Sequence, residues 1–549
     1  MHRRIVWACL PRTRRASTQR MSRIQTSKTP SAASASTAGV AFPLRVGAID
    51  VGSNAIRLLA GEFRDAGHFD TLAEERVGVR LGHDVFVNGR LAARAMDAAV
   101  EAIAGFRLRM ESLGIVHYRA VATSAVRESR NGALFVERLR EEAGVELEVI
   151  TGAEEARLVY VAVRARQSLG RRKWILVDLG GGSVEVSLVD GSGILWSESH
   201  TMGSVRLLEE LSVSGDEPGR FQRLLREYAA TLRIPTLARQ WNPAGVIATG
   251  GNIEALARLA GTAPAGGQAG SVGVDQLQGA IAMLSRLSFR QRVEQLGLRP
   301  DRADVILPAA LVYERVAALS GADRIIVPGV GLKDGTLIDL VEDLATHQEH
   351  EDRKDRRALE GAVSLGRRYL FDEAHAAHVA RLAGSLFDQL APLHRMQPAD
   401  RRVLMAAAVL HDIGIFVGHK KHHKHSLYLI SQSEIPEFTP REIDLVANLA
   451  RYHRKGVPAA HHETFTRLPA EDRERVVKLS SLLRIADALD REHLQAVTAV
   501  RARVAKSRLS LELEGTGDLL LERWSLRAKA DLFTESFGME VEAVGGGDG

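Results

Sequence analysis

The sequence predicts an α/β first half, then an all-α section, then a small α+β end. Three observations carry this. Two strand-turn-strand units, near residues 46–63 and 174–189, each place an aspartate at a strand end and glycine with serine in the turn. Segments with helical periodicity follow each unit. From about residue 347 to 496 the pattern is helical throughout and holds most of the histidines of the chain.

Regular structure is expected from Val46. Arg45-Val-Gly-Ala-Ile-Asp50 reads as a buried strand ending in a carboxylate. Gly52-Ser53-Asn54 turns the chain, and Ala55 to Phe63 returns as an apolar strand. In residues 91–113, Leu91, Ala95, Ala98, Ala99, Ile103 and Phe106 share one helical face. Tyr118 to Ala122 is a short strand, Asn131 to Ala143 a helix and Leu147 to Thr151 a strand, and another helix starts near Ala153. Trp174 to Asp178 repeats the first strand, Leu179 to Ser183 is the glycine-rich turn and Val184 to Val189 the return. A third apolar strand, Ala244 to Ala248, runs into Thr249-Gly-Gly-Asn252 and a helix. Residues 261–273 form a Gly/Ala loop, and Ile325 to Val327 is a strand before Pro328-Gly-Val-Gly331. His347 to Arg357 is a charged helical linker. Leu509-Ser-Leu-Glu-Leu-Glu514 and Leu519-Leu-Leu-Glu522 suggest β structure near the end. The expected units are a tail (1–45), two α/β domains (46–158 and 159–346), a helical domain (347–496) and a small terminal domain (497–549).

A chain of 549 residues is long enough for about three to five folding units. Its 45% hydrophobic and 26% charged residues exclude collagen-like, wholly disordered and disulfide-scaffold proteins. Cys9 is the single cysteine, which excludes an intrachain disulfide and fits a reducing, cytoplasmic setting. No apolar stretch approaches the ~18 residues of a membrane span. Residues 1–45 carry nine Lys/Arg and no acid, so removing them from the net +5 leaves −4 for the rest. Overall charge is therefore no argument for a nucleic acid partner. The basic, Ser/Thr/Ala-rich tail reads as disordered, with Met21 as a possible later start and an organelle transit peptide as the alternative.

Two glycine-rich tips facing one cleft would clamp phosphate, because glycine lets backbone N–H groups approach anionic oxygens and serine adds a donor. Asp50 and Asp178 could hold Mg²⁺, a hard ion that prefers carboxylate and phosphate oxygens. Asp50-Val-Gly-Ser-Asn54 and Asp178-Leu-Gly-Gly-Gly-Ser-Val-Glu185 resemble the two phosphate loops of the exopolyphosphatase/guanosine pentaphosphate phosphatase (Ppx/GppA) family. Ala122-Thr-Ser-Ala-Val-Arg127 with Asn131 and Phe135, Ile150-Thr-Gly-Ala-Glu-Glu-Ala-Arg-Leu158, Thr201-Met-Gly-Ser-Val-Arg-Leu207 and Gly331-Leu-Lys-Asp-Gly335 are similar to further motifs of that family, in its order. The resemblance implies two ribonuclease-H-like domains of the actin-like ATPase type, followed by an all-α HD-like domain and a small α+β domain.

The resemblance also assigns roles. Glu155 would orient and deprotonate the attacking water, and Glu185 would position metal or water. Asp50 and Asp178 would carry Mg²⁺, directly or through water. Ser53, Asn54, Gly180, Gly181, Gly182 and Ser183 would hold the terminal phosphates, with Arg127 and Arg57 neutralising charge. Glu154 and Arg206 are left open between support and function. The implied reaction is release of orthophosphate from inorganic polyphosphate by a homodimer; hydrolysis of guanosine pentaphosphate is the alternative.

In the helical section the order His375, His411-Asp412, Asp487 resembles the HD metal-dependent phosphohydrolase superfamily. Imidazole and carboxylate from separate helices could hold one or two divalent ions. A domain that inherits the fold without metal is the other reading, because the equivalent domain of long exopolyphosphatases often lacks a full set of ligands. Lys420, Lys421 and Lys424, in a dense basic run, and Arg451-Tyr-His-Arg-Lys455 could form a track for a long polyanion.

Overall fold

The computed structural model describes residues 42–212, 220–234, 242–261, 269–345, 350–454 and 456–544. Most of the expected tail, part of the Gly/Ala loop, His347 and Lys455 lie outside the described residues. Strand β1 (Leu44–Val51) begins two residues before the expected start. β2 (Ile56–Asp65) and β3 (His68–Val77) continue it as an antiparallel meander, and β4 (His117–Ala122) and β5 (Leu147–Val149) add parallel to its other edge. The order is β3-β2-β1-β4-β5. Both faces of β1 are covered. Ile49 and Val51 meet Ile103 and Phe106 of the helix Ala93–Ser112, while Val46 and Ala48 meet Leu337 and Val341 of the helix Leu332–Ala345. The period-2 alternation of a strand sends successive side chains to these two layers.

The second sheet repeats the scheme with β6 (Trp174–Leu179), β7 (Val184–Asp190), β8 (Gly193–His200), β9 (Val246–Thr249), β10 (Gly270–Gly273) and β11 (Arg324–Val327). Its order is β10-β11-β9-β6-β7-β8. The β8-β7-β6-β9-β11 part repeats β3-β2-β1-β4-β5 in direction as well as order. The repeat seen in the sequence at 46–63 and 174–189 is thus a repeat of whole sheets. β3 and β8 escape the sequence reading because they are amphipathic and follow tight turns. The helices Val274–Arg286 and Ile306–Ser320 also went unread.

The helix Gly152–Arg166 is a wedge between the sheets. Leu158, Val159 and Val163 pack with Val121 of the first sheet and with Leu176, Val189 and Ile247 of the second. The expected boundary at 158 falls inside this helix. Its position is locked by charge. Asp339 accepts from Arg119 (2.8 Å), Arg157 (3.0 Å) and Arg357 (2.8 Å), so the first sheet, the wedge and the helix His350–Arg368 meet on one carboxylate. Burial opposes the charge on Asp339, yet Arg157, Arg357 and Arg119 outweigh it and hold the carboxyl below its ordinary range.

Residues 350–488 contain helices and no strand among the described residues. The terminal sheet, β12 (Val497–Ala505), β13 (Arg508–Gly515) and β14 (Glu540–Val544), sends Val500, Leu509, Leu511 and Leu513 into the same core as those helices. Leu519-Leu-Leu-Glu522, expected as β structure, instead opens the helix Leu520–Lys529. Leu519, Glu522, Ser525 and Leu526 are its buried face, a helical spacing that a four-residue window could not separate from a strand.

Candidate active site

The tips of the two hairpins meet in the wall of a cleft of about 1450 Å³. A Cβ on Gly181 would lie 2.9 Å from the Ser53 side chain, and one on Gly182 would lie 2.3 Å from Ser124 Oγ. The second loop therefore approaches the first only because it lacks side chains there. Ser53 Oγ lies 2.9 Å from Ser124 Oγ. Asn54 donates to the Asp301 carbonyl (2.9 Å), across the cleft. Gly180 lines the cleft, and Ser183 Oγ is buried without a partner.

Strand register places the carboxylates. Asp50 stands opposite Arg57 in the β1–β2 pair, and Asp178 opposite Glu185 in the β6–β7 pair. Arg57 donates to Asp50 Oδ2 at 2.8 Å, so these two neutralise each other in the cleft wall. The group that converges is Glu155, Asp178 and Glu185, with one ligand atom of each within 4.8 Å of the others. Asp178 belongs to this group, while Asp50 is engaged with Arg57. Thr249 Oγ1 donates to Asp178 Oδ1 (2.5 Å) and Ser199 Oγ to Glu185 Oε1 (2.8 Å). Sequence reading assigned neither residue a role. Thr249, just before the Gly250-Gly251 turn, was the visible signal; Ser199 had none.

Glu155 enters from the first turn of the wedge helix, whose N-cap Thr151 accepts from the Glu154 N–H (3.1 Å). The adjacent glutamates separate by direction. Glu154 accepts from Arg157 (2.7 Å) and Arg119 (3.2 Å) and belongs to the Asp339 network. Glu155 turns into the cleft, with Arg127 at 3.5 Å. Arg127 is itself held by the Ile150 carbonyl (2.7 Å). Arg206 donates to the Gly182 carbonyl (2.8 Å), pairs with Glu128 (2.5 Å) and stacks over Phe86, so it supports the loop from behind. Asn131 clamps the backbone of Leu91 on both sides, which is also support.

Glu155 Oε2 and Glu185 Oε2 are buried with no hydrogen-bond partner. Burial, and then the neighbouring Glu185 charge, push the Glu155 carboxyl well up. Burial and Asp178 push Glu185 to about 7, and burial raises Asp178. Buried, mutually repelling carboxylate oxygens without donors are what a hard divalent cation would satisfy, so Asp178, Glu185 and Glu155 fit Mg²⁺. The wall of the cleft adds cations that the sequence reading missed. Arg76, Arg299 and Arg302 line it beside Arg57. Arg302 is buried and bonded to Asn252 Oδ1 (2.7 Å), and burial followed by repulsion from Arg57 pushes it down to about 10. Lys420, Lys421 and Lys424 are exposed on the helical unit and do not line this cleft.

Residues 63–344 match the Ppx/GppA phosphatase family, and residues 359–536 match domain III of Ppx/GppA phosphatases. The chain belongs to this family. Ppx/GppA relatives include exopolyphosphatase 1 of Mycobacterium tuberculosis and that of Mycobacterium bovis. Each is 32% identical over 304 residues, covering 54% of this chain and 88% of the relative. The crystal structure of an exopolyphosphatase from Cytophaga hutchinsonii superposes with a TM-score of 0.51 at 27% identity, over 55% of this chain and 98% of that one. Among the described residues, no helix is long and apolar enough to cross a membrane.

The raised carboxyls give a pH signature. A carboxyl raised by burial favours the protonated fold, so its stabilisation is complete below the unfolded value of ~4.3 and is lost as pH rises through the folded value, about 7 for Glu185. The Tm of metal-free protein is expected to fall between pH 5 and 8, with a shallower fall in Glu185→Gln. Mg²⁺ should raise Tm more at pH 8 than at pH 5, because it binds the ionised set. Thermal melts with and without Mg²⁺ check this; equal Mg²⁺ shifts at both pH values would contradict it.

Proposed function

We propose that the protein is an exopolyphosphatase, releasing orthophosphate from the end of inorganic polyphosphate with Mg²⁺ held by Asp178 and Glu185 beside Glu155. The observation that carries this is Glu155: a buried carboxylate with an unpartnered oxygen, lining the same cleft as Gly52, Ser53, Gly180 and Gly181 of the two tips. In this reading the two sheets are the halves of an actin-like ATPase frame, and the tips hold the terminal phosphates through backbone N–H groups. Water positioned at Glu155 attacks the terminal phosphorus in line and passes its proton to Glu155. The bridging P–O bond breaks and the shortened polymer leaves with the bridging oxygen. Mg²⁺, held by Asp178 and Glu185, would neutralise charge on the phosphoryl oxygens. Arg127 keeps positive charge beside Glu155, and Arg76, Arg299 and Arg302 suit the polyanion behind its terminal unit.

Phosphate release from long-chain polyphosphate and from guanosine pentaphosphate, each with Mg²⁺, tests the substrate. Faster release from polyphosphate is expected. A clear preference for the nucleotide would overturn the assignment while keeping the hydrolytic centre.

A further inference from the structure

The helical unit brings His375, His411, Asp412 and Asp487 together, with His422 and His453 beside them. Nε2 atoms face each other at 3.3 Å in His375–His411 and at 3.2 Å in His422–His453. His411 Nε2 lies 3.7 Å from both Asp412 Oδ2 and Asp487 Oδ1. The same unit also reaches back to the hydrolytic centre, at a point far from these histidines in the chain.

Glu434 makes that contact. It lies in Glu434-Ile-Pro-Glu437, between the helices His422–Ser431 and Pro440–Tyr452. Ile435 belongs to the core of the helical unit, and Pro436 is buried beside it. A Cβ on Gly361, in the helix His350–Arg368, would meet Pro436 at 2.6 Å, so this segment is held tightly by its own unit. Glu434 itself is exposed, and its Oε2 accepts from the Gly152 N–H at 3.1 Å, 282 residues away in the chain. Gly152 opens the wedge helix Gly152–Arg166. The first N–H groups of a helix have no partner within it. Thr151 takes that of Glu154, and Glu434 takes that of Gly152. A carboxylate suits this end, because the helix dipole leaves it positive.

The position of Gly152 links this contact to the reaction. A Cβ on Gly152 would stand 3.0 Å from Ser199 Cβ, 3.1 Å from Ser199 Oγ and 3.7 Å from Glu185 Oε1. Ser199 Oγ donates to that same Glu185 oxygen at 2.8 Å. Glu155 follows three residues later in the same helix. The backbone that Glu434 holds therefore lies against the support of one carboxylate and carries the other. Arg368 of the helical unit also donates to Glu198 on β8 (3.2 Å). Successive strand side chains point to opposite faces, so Arg368 grips β8 from the face away from Ser199.

We propose that Glu434 is a positioning residue of the hydrolytic centre. By fixing the Gly152 N–H it sets the spacing between Glu155 and the Ser199–Glu185 pair. It touches neither substrate nor the reacting atoms. Without its acceptor oxygen the first turn of the wedge helix loosens, and Glu155 and Glu185 lose their fixed separation. Reactions of this kind are sensitive to sub-ångström placement of the reacting groups. The role rests on the hydrolytic reading of Glu155.

The test uses the full chain, with polyphosphate and guanosine pentaphosphate as substrates. Glu434→Ala is expected to lower kcat by about 10-fold, the lower end of what outer partners of metal ligands contribute, with KM within about twofold of wild type. The rise in Tm caused by Mg²⁺ at pH 8 should shrink in the same variant. Glu434→Gln keeps an oxygen that accepts from Gly152 and should return kcat to within about threefold of wild type. Arg368→Ala loosens the same junction without touching Gly152 and should keep kcat within about twofold. Metal-free melts report that each variant is folded. Wild-type kcat and a wild-type Mg²⁺ shift in Glu434→Ala would overturn the role. An equal fall in Arg368→Ala would also overturn it, because docking of the unit would then matter rather than this hydrogen bond. Release of phosphate from neither substrate by wild type would instead overturn the hydrolytic reading, and the Mg²⁺ shift would separately show whether Glu434 sets the carboxylates.

Discussion

Glu155→Gln is expected to lower kcat for phosphate release by ~10³-fold while changing KM far less. The substitution keeps the shape of the side chain and removes only the capacity to take a proton. Its carboxyl is raised by burial and by Glu185, so it is strained as an anion until a cation shares the site. The amide relieves that strain. Tm should therefore stay level or rise in the metal-free variant, which separates lost chemistry from lost folding. A variant that keeps activity within tenfold of wild type would remove Glu155 from the base role. Glu154→Gln should behave oppositely. Glu154 is bound to Arg157 and Arg119, so its loss acts through the position of the wedge helix.

Gly335→Ala is expected to be the most damaging single-methyl change in the described structure. A Cβ there would stand 1.8 Å from the Leu158 carbonyl oxygen and 2.6 Å from its carbon. The obstacle is backbone, which no rotamer change can move. The helix Leu332–Ala345 would have to back away from the helix that carries Glu155. A loss of ~3 kcal/mol or more is expected, a fall in Tm of about 3 °C or more at this size. Phosphate release should fall with it, since Glu155 lies one turn upstream of Leu158. Gly105, in an exposed helical position with nothing within 4 Å of its Cβ, is the control. Gly105→Ala should be neutral or stabilising by ~0.5–1 kcal/mol. Thermal melts of both variants decide the matter; equal melting temperatures would mean the helices have slack that their close contact does not suggest.

The two substitutions divide what a sequence reader can reach. Gly335 was visible as part of a motif, but nothing in Gly331-Leu-Lys-Asp-Gly335 says that a carbonyl from residue 158 stands against it. Glu154 and Glu155 were equal candidates by spacing at a helix start. The family resemblance preferred one, and the separation came from Arg119 on a strand and Arg157 one turn on. Asp50 was legible as a strand-end carboxylate, yet its pairing with Arg57 is a consequence of antiparallel register. Glu185 was legible through the motif, and its approach to Asp178 follows from register in the second sheet. His375, His411, Asp412 and Asp487 could be lined up by order along the chain. His422 and His453 were hidden in basic runs that read as a track for a polyanion.

By itself the sequence determined what is local. Alternating apolar residues, glycine-rich turns and helical periodicity fixed the main strands and helices of the first half, their internal repeat, and the helical character of the third section. Tertiary structure decided what depends on distance in space rather than in chain. It set the wedge helix between two sheets, the three arginines on Asp339, the trio of Glu155, Asp178 and Glu185, and the facing Nε2 atoms of four histidines. The physical reason is that periodicity records which face of an element is buried, whereas an ion pair or a ligand set depends on which other element covers that face. That choice is made by packing, and it leaves no local mark on the residues it brings together.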